Sequence, residues 1–107
     1  MVDFKIYQMP CNEENHFIVF ESLDRLKEMG QEFKRSRYRL AYEGKMESGT
    51  DLEDLYYKLN VEHPKDYKAR SLSVSDVVEI TGDGKTKAWF VDSFGFTDVT
   101  EVWKEAS

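Results

Sequence analysis

A β-hairpin pattern in the C-terminal third of the chain constrains the fold more than any other feature of the sequence. Two runs rich in β-branched and aromatic residues, at 71–80 and 88–96, flank the turn Gly82-Asp83-Gly84. Glycine and aspartate are typical of the tight turns that join antiparallel strands. A second glycine, in Phe94-Gly95-Phe96, predicts a bend at the end of the second run. The pattern therefore predicts antiparallel sheet in this part of the chain.

Alternating side-chain character predicts further strands in the N-terminal half. Every second residue from 2 to 6 is apolar, and Pro10 ends a strand predicted over residues 2–9. The apolar run 16–20 predicts a short second strand. Apolar residues alternate with arginines toward the end of residues 33–42, which predicts a third strand with one basic face, followed by a loop at 44–49.

Two segments combine helical spacing with capping residues. Ser22 is a favourable N-cap for a short helix that ends at Gly30, because its hydroxyl can accept a backbone N–H of the first turn. Thr50 and Glu53 form a capping-box pattern at the start of a second helix, which is expected to run to about residue 60.

Strands and helices in this order predict an α+β protein. We expect a single domain over residues 1–107, with a mostly antiparallel β-sheet of about four to six strands and two short α-helices. Val102 and Trp103 are expected to cover one end of the core. The other residues expected in the core are Trp89, Phe94 or Phe96, Leu55 and Leu59.

Composition narrows the class of protein. The chain has 107 residues, of which 40% are hydrophobic, enough for one core. No apolar run reaches the roughly 20 residues that a membrane span needs, and the N-terminus lacks the pattern of a secretory signal. Cys11 is the single cysteine and cannot form an internal disulfide, so a cytoplasmic location without a membrane partner is expected.

No catalytic, cofactor or metal motif stands out in the sequence. Cys11, His16 and His63 are too few and too scattered for a zinc site. Gly82-Asp83-Gly84-Lys85 lacks the strand–loop–helix setting of a phosphate-binding loop, and the serines lack the nucleophile-elbow pattern. We therefore expect no enzyme activity, with no catalytic residues, no cofactor and no metal.

The net charge of −6 favours a basic partner. Acidic residues cluster in sequence around the second predicted helix and near the C-terminus, where they would suit a protein surface that itself binds nucleic acid. Carboxylates at the helix start can instead complement the helix dipole, and aromatic residues such as Tyr57 or Trp103 are an alternative source of binding energy. The expected partner-binding residues are Glu47, Asp51, Asp54, Asp92, Asp98 and Glu101.

A basic run supplies the alternative interpretation. Basic residues interleaved with Tyr38 can hold a nucleic-acid strand through phosphate contacts and base stacking. Against this interpretation, the chain is acidic overall, and outward-facing arginines on a strand are ordinarily solvated or ion-paired. The residues concerned are Lys34, Arg35, Arg37 and Arg39, with Lys65, Lys68 and Arg70 as additions.

Two motifs resemble a known family. Ser-Leu-Ser-Val-Ser-Asp-Val-Val at 71–78 and Val-Asp-Ser-Phe-Gly-Phe at 91–96 are similar to the YodL-like domain family. The resemblance extends to residues 4–8, 50–56 and 60–64 and so covers most of the chain. It implies a domain of conjugative elements, phage-related islands and their bacterial hosts, and it brings no catalytic residues with it.

The resemblance also implies a function. In this chain the domain stands alone, which implies a small free inhibitor or adaptor, and such elements encode small acidic type II anti-CRISPR proteins of similar size and charge. We therefore expect a non-enzymatic binding protein that inhibits a host defence nuclease. In the specific form, the target is an RNA-guided type II CRISPR nuclease whose guide-RNA or DNA loading is hindered. The alternative is a small nucleic-acid-binding or adaptor domain that uses residues 34–39.

Overall fold

The described residues form one antiparallel sheet with three short α-helices and one 3₁₀ turn. The sheet order is β2-β1-β3-β4-β5, and every neighbouring pair is antiparallel. The fold class is therefore α+β, as the sequence predicts, with one more helix than expected. The strands are β1 (Val2–Gln8), β2 (Arg39–Met46), β3 (Val77–Gly82), β4 (Lys85–Val91) and β5 (Phe96–Asp98). The helices are α1 (Leu23–Glu28), α2 (Leu52–Val61) and α3 (Thr100–Glu105), and the 3₁₀ turn is Arg35–Arg37. This computed structural model describes residues 2–10, 18–31, 33–61, 65, 72–93 and 95–105.

One face of the sheet is covered by α2. Phe4 and Ile6 of β1 pack with Val78 of β3 and with Leu55 and Leu59 of α2. The two leucines are four residues apart, so they lie on the same side of the helix. Both are almost fully buried, which confirms their predicted place in the core. None of the described helices is long and apolar enough to cross a membrane.

The opposite face packs against α1 and α3. Val77 and Phe90, which are paired across β3 and β4, form a cluster with Leu26 of α1 and Trp103 of α3. Side chains alternate between the two faces of a strand, so the residues that alternate with Val77 and Phe90 along β3 and β4 face α2. Trp103 is only 1% exposed, which confirms that it covers the core, whereas Val102 is exposed.

The predicted hairpin is present as β3 and β4. Asp83 and Gly84 form its turn with φ angles of 51° and 73°, and two positive φ angles are what a two-residue type I′ turn requires. The hydroxyls of Thr81 and Thr86 lie 3.0 Å apart across the strands beside the turn. β5 then returns along β4, so the bend predicted after the second run is confirmed, and the chain beyond it pairs again with the sheet.

The predicted strand over 16–20 is wrong in its described part, because residues 18–20 form a turn. Phe20 has a φ of 72°, which a strand does not allow. Its backbone N–H donates to the hydroxyl of Ser75 at 3.0 Å, so a contact distant in sequence fixes the turn. His16 and Phe17 lie outside the described residues.

The predicted strand over 33–42 begins later than expected and also ends later. Arg35–Arg37 is a 3₁₀ turn and β2 starts at Arg39, so the strand has no continuous basic face. Tyr38 sets this boundary, because its buried hydroxyl donates to the carbonyl of Ser75 at 2.6 Å. Gly44 continues the strand where a loop was expected. A Cβ at Gly44 would lie 3.0 Å from the Phe4 ring, so its missing side chain admits that ring.

Two predicted side-chain roles change in the structure. Asp51 caps α2 by accepting the N–H of Asp54 at 2.8 Å, whereas the sequence pattern predicts Thr50 as the capping residue. Trp89 is only half-buried, although it was expected in the core. It lies near the hairpin end of the sheet, on a surface shared with Val2 and Ile80. Phe94 lies outside the described residues, and Phe96 is half-buried.

Candidate functional site

A groove lies between α2 and the corner that joins β4 to β5. Glu53 and Tyr56 reach it from α2, three residues apart and therefore on one side of the helix. Its volume is about 250 Å³, and its lining is largely apolar. We call it the corner groove. Its lining residues are Glu53, Tyr56, Val74, Val91, Asp92, Ser93, Gly95 and Phe96.

Asp92 holds the corner in shape. Its N–H donates to the carbonyl of Gly95 at 3.0 Å, which closes the turn. One carboxylate oxygen accepts the N–H of Ser93 at 2.9 Å and the other accepts the hydroxyl of Thr97 at 2.8 Å. Gly95 has a φ of 76°, a conformation that glycine adopts without strain. The Asp92 carboxylate is therefore fixed in orientation at the edge of the groove.

The segment before β3 forms the neighbouring wall. Ser75 donates its N–H to the carbonyl of Val91 at 2.9 Å, and Val91 donates to the carbonyl of Asp76 at 2.8 Å. These bonds place Val74 beside the end of β4. The two motifs that carry the family resemblance therefore lie next to each other in the fold, and both contribute to the corner groove.

The carboxylate of Asp76 has a structural role. Asp76 is fully buried, and its Oδ2 accepts the side-chain amide of Gln8 at 3.0 Å and the N–H of Ser73 at 2.9 Å. These bonds explain why a carboxylate is tolerated in the interior, since a buried charge needs hydrogen-bonding partners. Asp76 fixes the loop that carries Val74 and does not itself line the corner groove.

The expected partner-binding carboxylates do not form one patch. Asp92 lines the corner groove with Glu53. Glu47 and Asp54 lie around a second depression that also contains Lys45 and Lys58. At a third site, Asp98 and Glu101 are accompanied by Lys85, Lys87 and Lys104. Apart from Asp92, which is half-buried, the expected carboxylates are exposed. Their role in binding remains a prediction.

Two of these carboxylates also serve helix termini. Asp51 caps α2, and Asp98 accepts the N–H of Thr100 at 2.9 Å at the start of α3. The pKa of the Asp98 carboxyl is lowered, first because the Thr100 hydroxyl donates to it, then because of the Thr100 N–H, with Lys87 adding a smaller effect. Sequence reasoning did not assign Asp98 this capping role, because it did not predict α3.

The arginines of the basic run are engaged within the chain. The Arg35 guanidinium lies 4.5 Å from the Trp103 ring centroid and donates to the Trp103 carbonyl at 3.2 Å. Arg37 donates to Gln31 at 3.2 Å, and Arg39 donates to the carbonyl of Tyr38 at 3.0 Å. A nucleic-acid strand would have to compete with these contacts. Of the other residues in the alternative, Lys34 and Lys65 are exposed, and Lys68 and Arg70 lie outside the described residues.

Aromatic residues differ in their access to a partner. Trp103 is buried, so it cannot anchor a partner without unfolding α3, whereas Tyr57 is 55% exposed. Sequence reasoning missed Tyr56, which is 37% exposed and meets Phe96 edge-on at 6.4 Å between ring centroids. The available signal was the i, i+3 spacing of Glu53 and Tyr56, which places both on one side of α2.

The side chains of the corner groove can bind a partner through apolar and charged contacts. Within the described ranges, no group of three or more histidine, cysteine, aspartate or glutamate side chains could hold a metal ion. Cys11, His16 and His63 lie outside those ranges. The corner groove combines apolar surface with two carboxylates, so what it can supply is apolar contact and attraction for a cation.

These features define an α+β domain with a small, partly acidic groove at one corner of its sheet. The family model of the YodL-like domain matches residues 3–102. The chain therefore belongs to the YodL-like domain family, as its motifs suggest. Comparisons with curated proteins and with solved structures gave no match.

Proposed function

We propose that this chain is a non-enzymatic binding protein that docks on a basic surface of a host protein. The observation that carries the proposal is the net charge of −6 together with surface carboxylates that are not neutralised by direct ion pairs. None of the six expected partner-binding carboxylates forms an ion pair with another described residue. Such a surface accelerates association with a positively charged partner and disfavours nucleic acid.

The proposed partner is a host defence nuclease. Proteins of this class expose basic grooves for their guide or target nucleic acid, so an acidic domain can compete for the same surface. The mobile-element setting that the YodL-like resemblance implies supports this choice. In the specific form of the proposal, the partner is an RNA-guided type II CRISPR nuclease, and binding hinders guide-RNA or DNA loading.

A capture experiment with matched charge reversals tests the proposal. The tagged chain is incubated with the purified type II nuclease, with guide RNA added either before or after it, and separately with a host lysate. The reversed residues should be ones without a capping role, so Asp51 and Asp98 are left unchanged. The test variant combines Glu47→Lys, Asp54→Lys and Glu101→Lys. The control variant makes the same net charge change through the exposed residues Asp3, Glu28 and Glu43.

We expect nuclease capture that weakens about tenfold in the test variant and much less in the control, because local rather than total charge sets the docking. Capture should also fall when guide RNA is bound first. If both variants lose capture equally, net charge alone and not the position of the carboxylates determines binding. If no nuclease is captured, the proposed partner is refuted. A gel shift with single-stranded RNA that is lost in Lys34→Glu would favour the alternative instead.

A further inference from the structure

We propose that the corner groove binds an arginine side chain of the partner together with an apolar residue beside it. This inference rests on the proposed function, since it names the part of a basic partner that the domain would recognise. Three features of the groove carry it: its unneutralised charge, the fixed orientation of one carboxylate, and an apolar lining of limited size.

The charge of the corner groove differs from that of the other acidic sites. Glu53 and Asp92 line it, and among the described residues that line it none is basic. Around Asp98 and Glu101, by contrast, three lysines belong to the same depression. Carboxylates with lysine neighbours are already partly neutralised, so they attract an external cation less strongly. The corner groove is therefore the better site for a cation supplied by a partner.

Asp92 is preorganised to accept further hydrogen bonds. Its two oxygens each accept one hydrogen bond, from Ser93 and from Thr97. A carboxylate offers about four lone-pair sites in all, so each oxygen retains capacity for a second donor. The existing bonds already hold the Asp92 carboxylate in place. Binding a cation therefore costs little additional side-chain entropy at Asp92.

The apolar part of the groove selects the size and shape of the guest. Val74, Val91 and Phe96 contribute apolar surface, and Tyr56 presents a partly exposed ring. The volume of about 250 Å³ is below the roughly 300–1,000 Å³ of small-molecule sites, which fits side chains better than a cofactor.

Arginine fits this groove better than lysine. Its planar guanidinium can stack on a tyrosine ring while it donates to carboxylates at its edge, and it is more weakly hydrated than an ammonium group. Glu53 has no ion pair with a described residue, so both groove carboxylates are available to such a donor. The aliphatic stem of the arginine and its apolar neighbour would then contact the valines and Phe96.

A short blocked peptide provides a direct test that needs no identified partner. The probe is acetyl-Leu-Arg-Leu-amide, and the control replaces arginine by citrulline, which keeps the shape and removes the charge. Amide shifts of the isotope-labelled full chain are followed by NMR during titration. We expect saturable shifts for residues of α2 and of the 91–96 segment with the arginine peptide, and at least threefold weaker binding of the citrulline peptide.

Substitutions then assign the binding to the groove. Glu53→Gln should weaken binding of the arginine peptide about fivefold, and Tyr56→Leu should do the same while keeping the surface apolar. Glu43→Gln is the matched control, because it makes the same charge change at an exposed residue outside the groove, with Lys5 and Lys45 as neighbours. Each variant is checked for an unchanged spectrum away from its own position, which shows that it is folded.

Equal binding of the two peptides, shifts centred away from the groove, or equal effects of Glu53→Gln and Glu43→Gln would each overturn the inference. The test also separates the two proposals. If the nuclease is captured but Glu53→Gln and Tyr56→Leu leave capture intact, the groove inference fails and the proposed function stands. If the peptide binds in the groove but no nuclease is captured, the proposed partner fails and the groove inference stands.

Discussion

The indole N–H of Trp103 donates to the carboxylate of Glu79 at 2.7 Å. This bond links the last described helix to the centre of the sheet across the α1–α3 face. Arg35 closes the arrangement, since its guanidinium lies over the Trp103 ring and 4.0 Å from the Glu79 carboxylate. The Glu79 side chain is 12% exposed, so its hydrogen bond to Trp103 is largely shielded from water. Removing that bond should therefore lower the stability of the fold measurably.

We expect Trp103→Phe to lower the free energy of unfolding by about 1.5–3 kcal/mol, because it removes a hydrogen bond to a charged group. Trp103→Ala should cost about 3–5 kcal/mol through the cavity it leaves. Urea denaturation measures both. Trp89→Ala is the internal comparison, and its cost should be clearly smaller because Trp89 is half-buried. Equal costs at the two tryptophans would contradict the assignment of Trp103 to the core.

Ser75 combines an unfavourable backbone conformation with a useful hydroxyl. Its φ is 84°, it is fully buried, and its Oγ accepts the N–H of Phe20. Ser75→Ala should lose about 0.5–1.5 kcal/mol of stability with that hydrogen bond. Ser75→Gly loses the same bond but relieves a left-handed strain of about 1–2 kcal/mol, so it should be the more stable of the two. Thermal unfolding decides, and a more stable alanine variant would argue against strain at this position.

Local signals predicted the hairpin and β1 correctly. Tertiary contacts explain why the strand predicted over 16–20 is a turn in its described part and why β2 begins later than predicted. The geometry of the hairpin turn is determined by the few residues Gly82-Asp83-Gly84 themselves. The pairing of β3 with β4 therefore follows from the sequence alone. The start of β2 depends instead on Tyr38 reaching Ser75, and the turn at Phe20 depends on the same serine. No period-two pattern contains that information, because these contacts join segments that are distant in sequence.

The candidate site was predictable only in part for the same reason. The sequence identified Asp92 and the motif around it, and it placed Glu53 on the second helix. It could not show that α2 packs against the β4–β5 corner, which brings Glu53 and Asp92 to one groove. Grouping carboxylates by sequence proximity also placed Asp98 with Asp92, whereas the structure puts Asp98 among lysines at the start of α3.

The hairpin turn gives a test of backbone conformation without a packing effect. Gly84 has a φ of 73°, and no heavy atom lies within 4 Å of a Cβ built there. Gly84→Ala should therefore cost about 1–2 kcal/mol from the left-handed conformation alone. Gly84→Asn is the matched variant and should cost less, because asparagine tolerates this region better. Chemical denaturation compares them, and equal stability of the alanine variant and the parent chain would show that the turn changes its shape at little cost.

The capping bond between Thr100 and Asp98 gives a prediction for pH. The pKa of the Asp98 carboxyl is lowered in the folded chain, mainly by the Thr100 hydroxyl. Its unfolded value should be near the ordinary aspartate value of about 3.9, so Asp98 contributes stability above that pH, and this contribution is lost as the pH falls through the lower folded value. Thr100→Val removes the hydroxyl and keeps the backbone N–H, so the pKa should rise part of the way to its ordinary value. Carboxyl NMR titration of both chains measures the change, and an unchanged Asp98 titration in Thr100→Val would mean that the hydroxyl does not stabilise the carboxylate.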